Sequence, residues 1–245
     1  MISYRRLGRY GALGNQMFQI ASTIGIAKKY NREYLFPKWE YSEYFQSQLE
    51  DKSILLTGLM MERINEYELH KIPMNHYVDL QGYYQNEKYF KHYKEDIRKL
   101  FTPNKEVHYK IIKRYPNLHQ MTSIHVRRGD YLDYPDHHPN LTMDYYKRAM
   151  DILEGPYIIC SDDIEWCKEN FKDFSNITFV EDNWKDIYDM ILMSYCKSHI
   201  IANSSFSWWS AWLSGNKTVC SQNWWGEKAE NKSNIICDNW IKIKN

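Results

Sequence analysis

The chain has 245 residues, with 32 Lys and Arg against 31 Asp and Glu, a formal net charge of +1 and 43% hydrophobic residues. That length holds one large domain or two small ones, each with a core of its own. The even charge balance excludes a nucleic-acid partner held by bulk charge, so any anion site must be local.

Ile2 to Leu7 reads as a first strand, followed by the glycine-punctuated loop Gly8-Arg9-Tyr10-Gly11-Ala12-Leu13-Gly14. From Asn15 to about Tyr30 the spacing is helical, with Phe18, Ala21, Ser22 and Gly25 on one face. Strand, glycine loop and helix bring a backbone close to a ligand. The same pattern also serves a turn that needs positive φ. It is neither a GxGxxG at the proper spacing nor a P-loop. Asn15 and Gln16 stand at the loop-to-helix junction, where amides either bind a sugar or phosphate or cap the helix. Strands are predicted at 33–36, 53–57 and 77–81, helices at 62–70 and 86–101, and loop with a short helix over 38–48. The charged segment 105–120 predicts a domain junction, giving domains 1–118 and 119–245.

The second half alternates. Strands are predicted at 123–128, 157–160, 177–180, 199–202 and 217–221, with a helix between each pair, which implies a parallel, doubly wound sheet. The first of these runs straight into Arg127-Arg128-Gly129-Asp130. Ligands of such sheets sit at the carboxyl ends of strands, and a guanidinium there is an always-charged fork suited to phosphate. Period two puts Arg128 and Arg127 on opposite faces unless the strand stops at Arg127. The acids Ser161-Asp162-Asp163 read as a capping box of Asp162 with Glu165, ahead of a metal ligand, because no third partner stands at ligand spacing. The helix from Phe206 to Ser214 carries apolar residues in nearly every direction and should be buried all round. Its N-terminal amides then need a partner, either a cap from Ser205 or a diphosphate.

Five cysteines, Cys160, Cys167, Cys196, Cys220 and Cys237, form no CxxC pair and read as reduced core thiols of a cytoplasmic protein. No signal peptide and no run long enough to span a bilayer is expected. The aromatic content, 16% with 21 Tyr and 9 Trp, suits sugar faces and core packing alike.

Four segments together resemble the motifs of the family-11 glycosyltransferases, the α-1,2-fucosyltransferases: Gly11 to Gln19, His125 to Tyr131, Ser161-Asp162-Asp163 and Ile200 to Leu213. They come in family order and span nearly the whole chain; Ala12 stands where the family usually has glycine. The resemblance implies an α/β fold of GT-B type, two Rossmann-like halves with a cleft between them. An acceptor-side half would precede a half that binds GDP-fucose. It implies transfer of L-fucose to the 2-hydroxyl of a terminal galactose on a glycan acceptor, with inversion and without a metal. Arg127 and Arg128 would clamp the β-phosphate, with His125 beside the nucleotide. Ser204, Ser205 and the amides of Phe206 and Ser207 would hold the diphosphate. Asp189 would accept from the guanine edge, and Asn15, with Gln16 next to it, would face the fucose. Asp130, Asp133, Asp136 and His137 are candidates for the general base, Asp130 first because it lies inside the motif. The absence of an anchor resembles the soluble bacterial or viral type. Two other readings are a transferase for another GDP-sugar or linkage, and a sugar-binding module, which would have no use for a phosphate site.

Overall fold

The computed structural model describes residues 1–57, 62–64 (as backbone), 77–229 and 233–245. The chain divides into two compact units, Met1–Lys105 and Glu106–Asn245.

The first unit holds β1 (Ile2–Ser3), α1 (Leu13–Lys29), β2 (Tyr34–Leu35), α2 (Ser53–Thr57), β3 (Glu62–Ile64), β4 (Val78–Leu80) and α3 (Lys94–Leu100). Its four strands are all parallel, in the order β2-β1-β4-β3. From Leu13 to Ala27 every residue of α1 except Asn15 is buried. At Gly25 a Cβ would lie 2.3 Å from the Tyr89 carbonyl oxygen and 2.6 Å from the Phe90 Cα. The helix can press on that turn only because it has no side chain there.

Three expectations fail in this unit. Residues 53–57 form a helix and not a strand. The Asp51 carboxylate accepts the Ser53 N–H at 2.9 Å and starts a turn, and Ile54 and Leu55 remain exposed. The helix expected at 62–70 is a strand over Glu62–Ile64, paired in register with β4, and 65–70 lie outside the described residues. The long helix expected at 86–101 is broken into two 3₁₀ turns, Glu87–Tyr89 and Lys91–Tyr93, before α3. The break turns Phe90 into the core against Phe18, ring centroids 6.2 Å apart, and burial outweighs helical continuity.

The second unit holds α4 (Lys105–Arg114), β5 (Thr122–Val126), α5 (Met143–Ile152), β6 (Tyr157–Ser161), α6 (Ile164–Asn170), β7 (Ile177–Phe179), α7 (Asp186–Ser194), β8 (Ser198–Ile200), α8 (Ser205–Ser214), β9 (Lys217–Ser221) and β10 (Ile241–Ile243). Its six strands are all parallel, ordered β7-β6-β5-β8-β9-β10. The chain builds outward from β5 in one direction, then crosses back and builds outward on the other side. This is the doubly wound order in which β5 and β8 flank the switch point, where ligands bind at carboxyl ends. Ile124 and Val126 face a core with Tyr145, Tyr146, Cys167 and Phe171. On α8 and α7, the Ser210 hydroxyl donates to the Met190 carbonyl at 2.9 Å.

The middle of α8, 207–212, is buried on every side as its sequence predicted, while Phe206 and Leu213 near its ends are half-buried. The Trp208 indole N–H donates to the Ile235 carbonyl at 2.7 Å, and its ring meets Trp240 at 5.6 Å. Each buried indole contributes on the order of 2–3 kcal/mol by removal from water. Gly215, at φ 73°, ends the helix in the left-handed conformation that glycine adopts without a Cβ penalty.

The unit boundary falls at Lys105 and not at 118. Residues 106–120, most of α4 followed by a 3₁₀ turn at Leu118–Gln120, belong to the second unit. Arg114 and Tyr115 both donate to Asp182, and the Lys110 ammonium sits 4.3 Å from the Tyr188 ring centre. Strand β10, in the tail where no strand is predicted, completes the sheet beside β9.

Candidate functional site

Strand β5 stops at Val126, so neither arginine is bound by the alternation of faces. Both lie in the turn beyond it, beside the end of β6, where Val126 is paired with Ser161. The next two residues of each strand then meet in order. Arg127 donates from Nη1 to Asp162 Oδ2 at 3.1 Å, and Arg128 from Nε to Asp163 Oδ2 at 3.0 Å. Arg127 also reaches Asp130, and its guanidinium lies 5.4 Å from the Tyr131 ring centre. Arg128 lies 4.2 Å over the Trp166 ring. Each guanidinium is thus held by a carboxylate on an edge and an aromatic ring on a face.

Opposite them across the switch point stands the start of α8. Its cap is Ser204, whose hydroxyl accepts the Phe206 N–H at 3.3 Å; the cap expected from Ser205 is one residue early. Ser205 and Phe206 are half-buried and Ser207 is buried. The Ser207 hydroxyl meets His125 Nδ1 at 2.9 Å, and the Phe206 ring lies 5.4 Å from the imidazole. Burial first, and then the Arg127 charge, push the His125 pKa down to about 3. It is a neutral hydrogen-bonding group that ties β5 to α8, not an acid at neutral pH. His125, Arg127, Arg128 and Ser204 to Ser207 are therefore brought to one edge of one sheet.

Asn203 frames that edge. Its buried amide donates to the carbonyls of Pro139 and Trp224 at 3.0 and 3.1 Å, and the Tyr131 hydroxyl donates to its carbonyl at 3.2 Å. The loop after β5 is fastened further. Gly226 donates its N–H to His137, Lys228 pairs with Asp136 at 2.6 Å, and His138 stacks on Tyr131 at 4.4 Å. Asp136 is thus spent on Lys228, whose hydrogen bond first, and then its charge, hold it below the usual carboxylate range. Asp133 and His137 are elsewhere on this loop, while Asp130 is the acid that touches an arginine.

Asp189 lies in the first turns of α7 and accepts the Trp184 indole N–H at 2.5 Å. Burial raises its pKa to about 6 against that bond, which lowers it. The Trp184 ring in turn stacks on Tyr188 at 5.2 Å. An acceptor with a raised pKa beside two stacked rings suits a planar N–H donor.

In the first unit, Asn15 is the half-buried exception on α1, and its Oδ1 accepts from Gln85 at 2.8 Å. Gln16 is buried and both ends of its amide are engaged. Nε2 donates to the Gly11 carbonyl at 3.0 Å and Oε1 accepts from the Trp39 indole at 2.8 Å. Gly11 has φ 74°, so the glycine loop meets the positive-φ requirement that its composition suggested.

One local expectation is corrected here. The cap of α6 is Asp163, whose Oδ1 accepts the Trp166 N–H at 3.2 Å, and not Asp162. Asp162 turns the other way, to Arg127 and to the Arg128 main-chain N–H at 2.9 Å. Asp162 and Asp163 as arginine partners, and Trp166 and Trp184, were not legible in the sequence, whereas Asn203, expected with Ser204 and Ser205 as a phosphate grip, spends its amide on the Pro139 and Trp224 carbonyls. Strand order alone could have revealed the first two, since it makes the ends of β5 and β6 neighbours. Among the described residues no group of three or more His, Cys, Asp or Glu is disposed to hold a metal ion. All five cysteines are buried and none is disulfide-bonded, and no described helix is long and apolar enough to cross a membrane.

A family model described as Glycosyl transferase family 11 matches residues 7–244. An α-1,2-colitosyltransferase of Escherichia coli is 36% identical over 183 residues, 68% of this chain and 63% of that protein. The O-antigen biosynthesis glycosyltransferase WbnK of Escherichia coli is 33% identical over 242 residues, 90% of this chain and 77% of its own length. Galactoside α-(1,2)-fucosyltransferase 1 of Homo sapiens is 28% identical over 246 residues, 87% of this chain and 66% of its length. The chain thus spans about two thirds to three quarters of the length of these relatives. Among solved structures, POFUT1 in complex with GDP-fucose superposes with TM-score 0.59 at 10% identity, covering 88% of this chain and 94% of that one. NodZ α-1,6-fucosyltransferase soaked with GDP-fucose gives 0.57 at 13% identity, covering 86% and 91%. These likenesses carry the fold, which is α/β of the GT-B-like fucosyltransferase type.

Proposed function

Because the chain belongs to glycosyltransferase family 11, we propose that it moves L-fucose from GDP-β-L-fucose to the 2-hydroxyl of a terminal galactose, inverting the anomeric centre. The observation that carries the reading is the edge of the second unit's sheet. Two consecutive arginines follow β5, and the start of α8 follows β8, on either side of the switch point. In such a transfer negative charge grows on the departing diphosphate, and fixed cations with oriented N–H groups stabilise it without reorganising. Arg127 and Arg128 take the β-phosphate, and the amides of Ser205, Phe206 and Ser207 take the diphosphate from the opposite side, with Ser204 shaping that turn. His125 holds Ser207 in place as a neutral imidazole. Asp189 accepts from the guanine edge once Trp184 releases it. Asn15 binds the fucose, and Gln16 keeps the glycine loop in shape next to it.

Asp130 is the proposed general base. When the diphosphate replaces it on Arg127, its carboxylate is free to take the proton of the attacking hydroxyl as the bond to GDP breaks. No resident metal has a part in this scheme.

A donor and acceptor screen with linkage analysis of the product by mass spectrometry tests the proposal. An α-1,2-fucosylated galactoside made from GDP-fucose supports it. Binding of a galactoside with no binding of GDP in calorimetry would leave a sugar-binding module instead. The 36% identity to an α-1,2-colitosyltransferase favours one second reading, the same linkage with colitose as the transferred sugar. A colitose donor run beside GDP-fucose and GDP-mannose separates the two.

A further inference from the structure

The glycine in Arg127-Arg128-Gly129-Asp130 invites a conformational explanation, but it does not have the positive φ that requires glycine; among the described residues the glycines that do are Gly8, Gly11, Gly82 and Gly215. Its neighbourhood supplies another. A Cβ placed on Gly129 would lie 2.4 Å from Asp162 Oδ2 and 3.3 Å from Asp162 Cγ, and among the described residues, its two chain neighbours aside, no other atoms come within 4 Å of it. That carboxylate is not a loose side-chain end. Its Oδ2 holds the Arg127 guanidinium at 3.1 Å, and its Oδ1 accepts the Arg128 main-chain N–H at 2.9 Å. It stands on the residue just past the end of β6, beside the end of β5, and its side chain is 25% exposed.

We infer that Asp162 is a positioning residue for the anion-holding turn, and that residue 129 is glycine because the Asp162 carboxylate occupies the place of its side chain. The inference rests on the reading of Arg127 and Arg128 as the diphosphate clamp. One carboxylate fixes both the direction of the Arg127 fork and the path of the backbone that carries Arg128. A methyl group at 129 can be accommodated only by moving that carboxylate or the turn. Either shift misplaces a guanidinium whose value depends on being aimed before the charge develops. Asp162 itself does not contact the transferred groups in this scheme.

Four proteins test the coupling: the wild type, Gly129→Ala, Asp162→Ser and the double variant. Each is measured for thermal unfolding and for kcat and KM in transfer from GDP-fucose. In the Asp162 background, Gly129→Ala is expected to lower kcat about tenfold or more, leave the donor KM within about threefold and lower the unfolding temperature. Asp162→Ser lowers kcat to a similar degree. In the double variant, the added alanine costs no more than about twofold in kcat and shifts the unfolding temperature little, because the small side chain at 162 leaves room for it. Asp162→Asn keeps an oxygen for the Arg128 N–H and is expected to recover part of the kcat lost in Asp162→Ser. Additive losses in the double variant, or a silent Gly129→Ala, overturn the inference. If the wild type transfers no fucose, the proposed function fails instead, and the unfolding temperatures of the four proteins still decide whether residues 129 and 162 compete for one space.

Discussion

Asp163 performs two jobs with two oxygens, and a pair of substitutions separates them. Oδ1 caps α6 by accepting the Trp166 N–H at 3.2 Å; Oδ2 accepts from Arg128 Nε at 3.0 Å. Asp163→Ala removes both. Loss of an N-cap costs about 1 kcal/mol. The ion pair is partly open to water, with side-chain exposures of 20% for Arg128 and 33% for Asp163, so it adds only about 0.5 kcal/mol. Asp163→Asn keeps the cap, since asparagine is as good a cap as aspartate, and loses only the charge. Amide hydrogen exchange at Trp166 reads the cap directly. About 1 kcal/mol should speed exchange roughly fivefold in the alanine variant, while the asparagine variant stays within about twofold of the wild type. Transfer should fall alike in both, because both take the anionic partner from Arg128. Equal acceleration of exchange in the two variants would refute the assignment of Asp163 as the cap. Unequal loss of transfer would refute its role as the holder of Arg128.

The remaining expectations concern other parts of the chain. Arg128→Ala should reduce kcat by about 10²–10³ with the circular dichroism spectrum unchanged, as befits a preorganised charge at a leaving group; full activity would remove the clamp from the mechanism. Asp189 has its pKa raised from 3.8 to about 6, chiefly by burial, so between these values the folded protein holds a proton that the unfolded chain has released. Stability therefore falls as pH rises through that window, and the cost persists above it. Asp189→Asn keeps an acceptor for Trp184 and should be more stable than wild type at pH 7 by about 1–2 kcal/mol, a difference that closes below about pH 4 in urea titrations. Gly25→Ala would drive a methyl group into the Tyr89 carbonyl and Phe90 and should destabilise the first unit by about 1–3 kcal/mol; a neutral result in denaturant unfolding would contradict the close packing of α1.

The second unit was readable because its strands are short apolar runs bounded by turn residues and separated by helices, a pattern that allows few arrangements. Lys217–Ser221 was placed to the residue, and the apolar wrap of α8 announced its burial. In the first unit the same signals were ambiguous. Ser53-Ile54-Leu55-Leu56-Thr57 is an apolar run whose period cannot distinguish helix from strand, and the Asp51 side chain decided for helix. Tyr89, Phe90 and Tyr93 keep helical spacing, yet the chain breaks there to bury Phe90. At the site, residue types were legible and their partners were not. Asp162 looked like a helix cap because capping is a local rule, whereas its contact with Arg127 exists only once β6 lies against β5. Gln16 looked available to a ligand until Trp39, distant in sequence, claimed its oxygen.

The order β7-β6-β5-β8-β9-β10 also has a temporal meaning. During synthesis β5 gains β6 as a neighbour early, but its other edge stays open until the pairing of Thr122 with Ser198 becomes possible. Through that interval the growing chain presents an unpaired strand edge, the kind of surface on which nascent proteins aggregate or recruit holdases. Ribosome-bound chains cut before and after residue 214 should therefore differ sharply in chaperone occupancy.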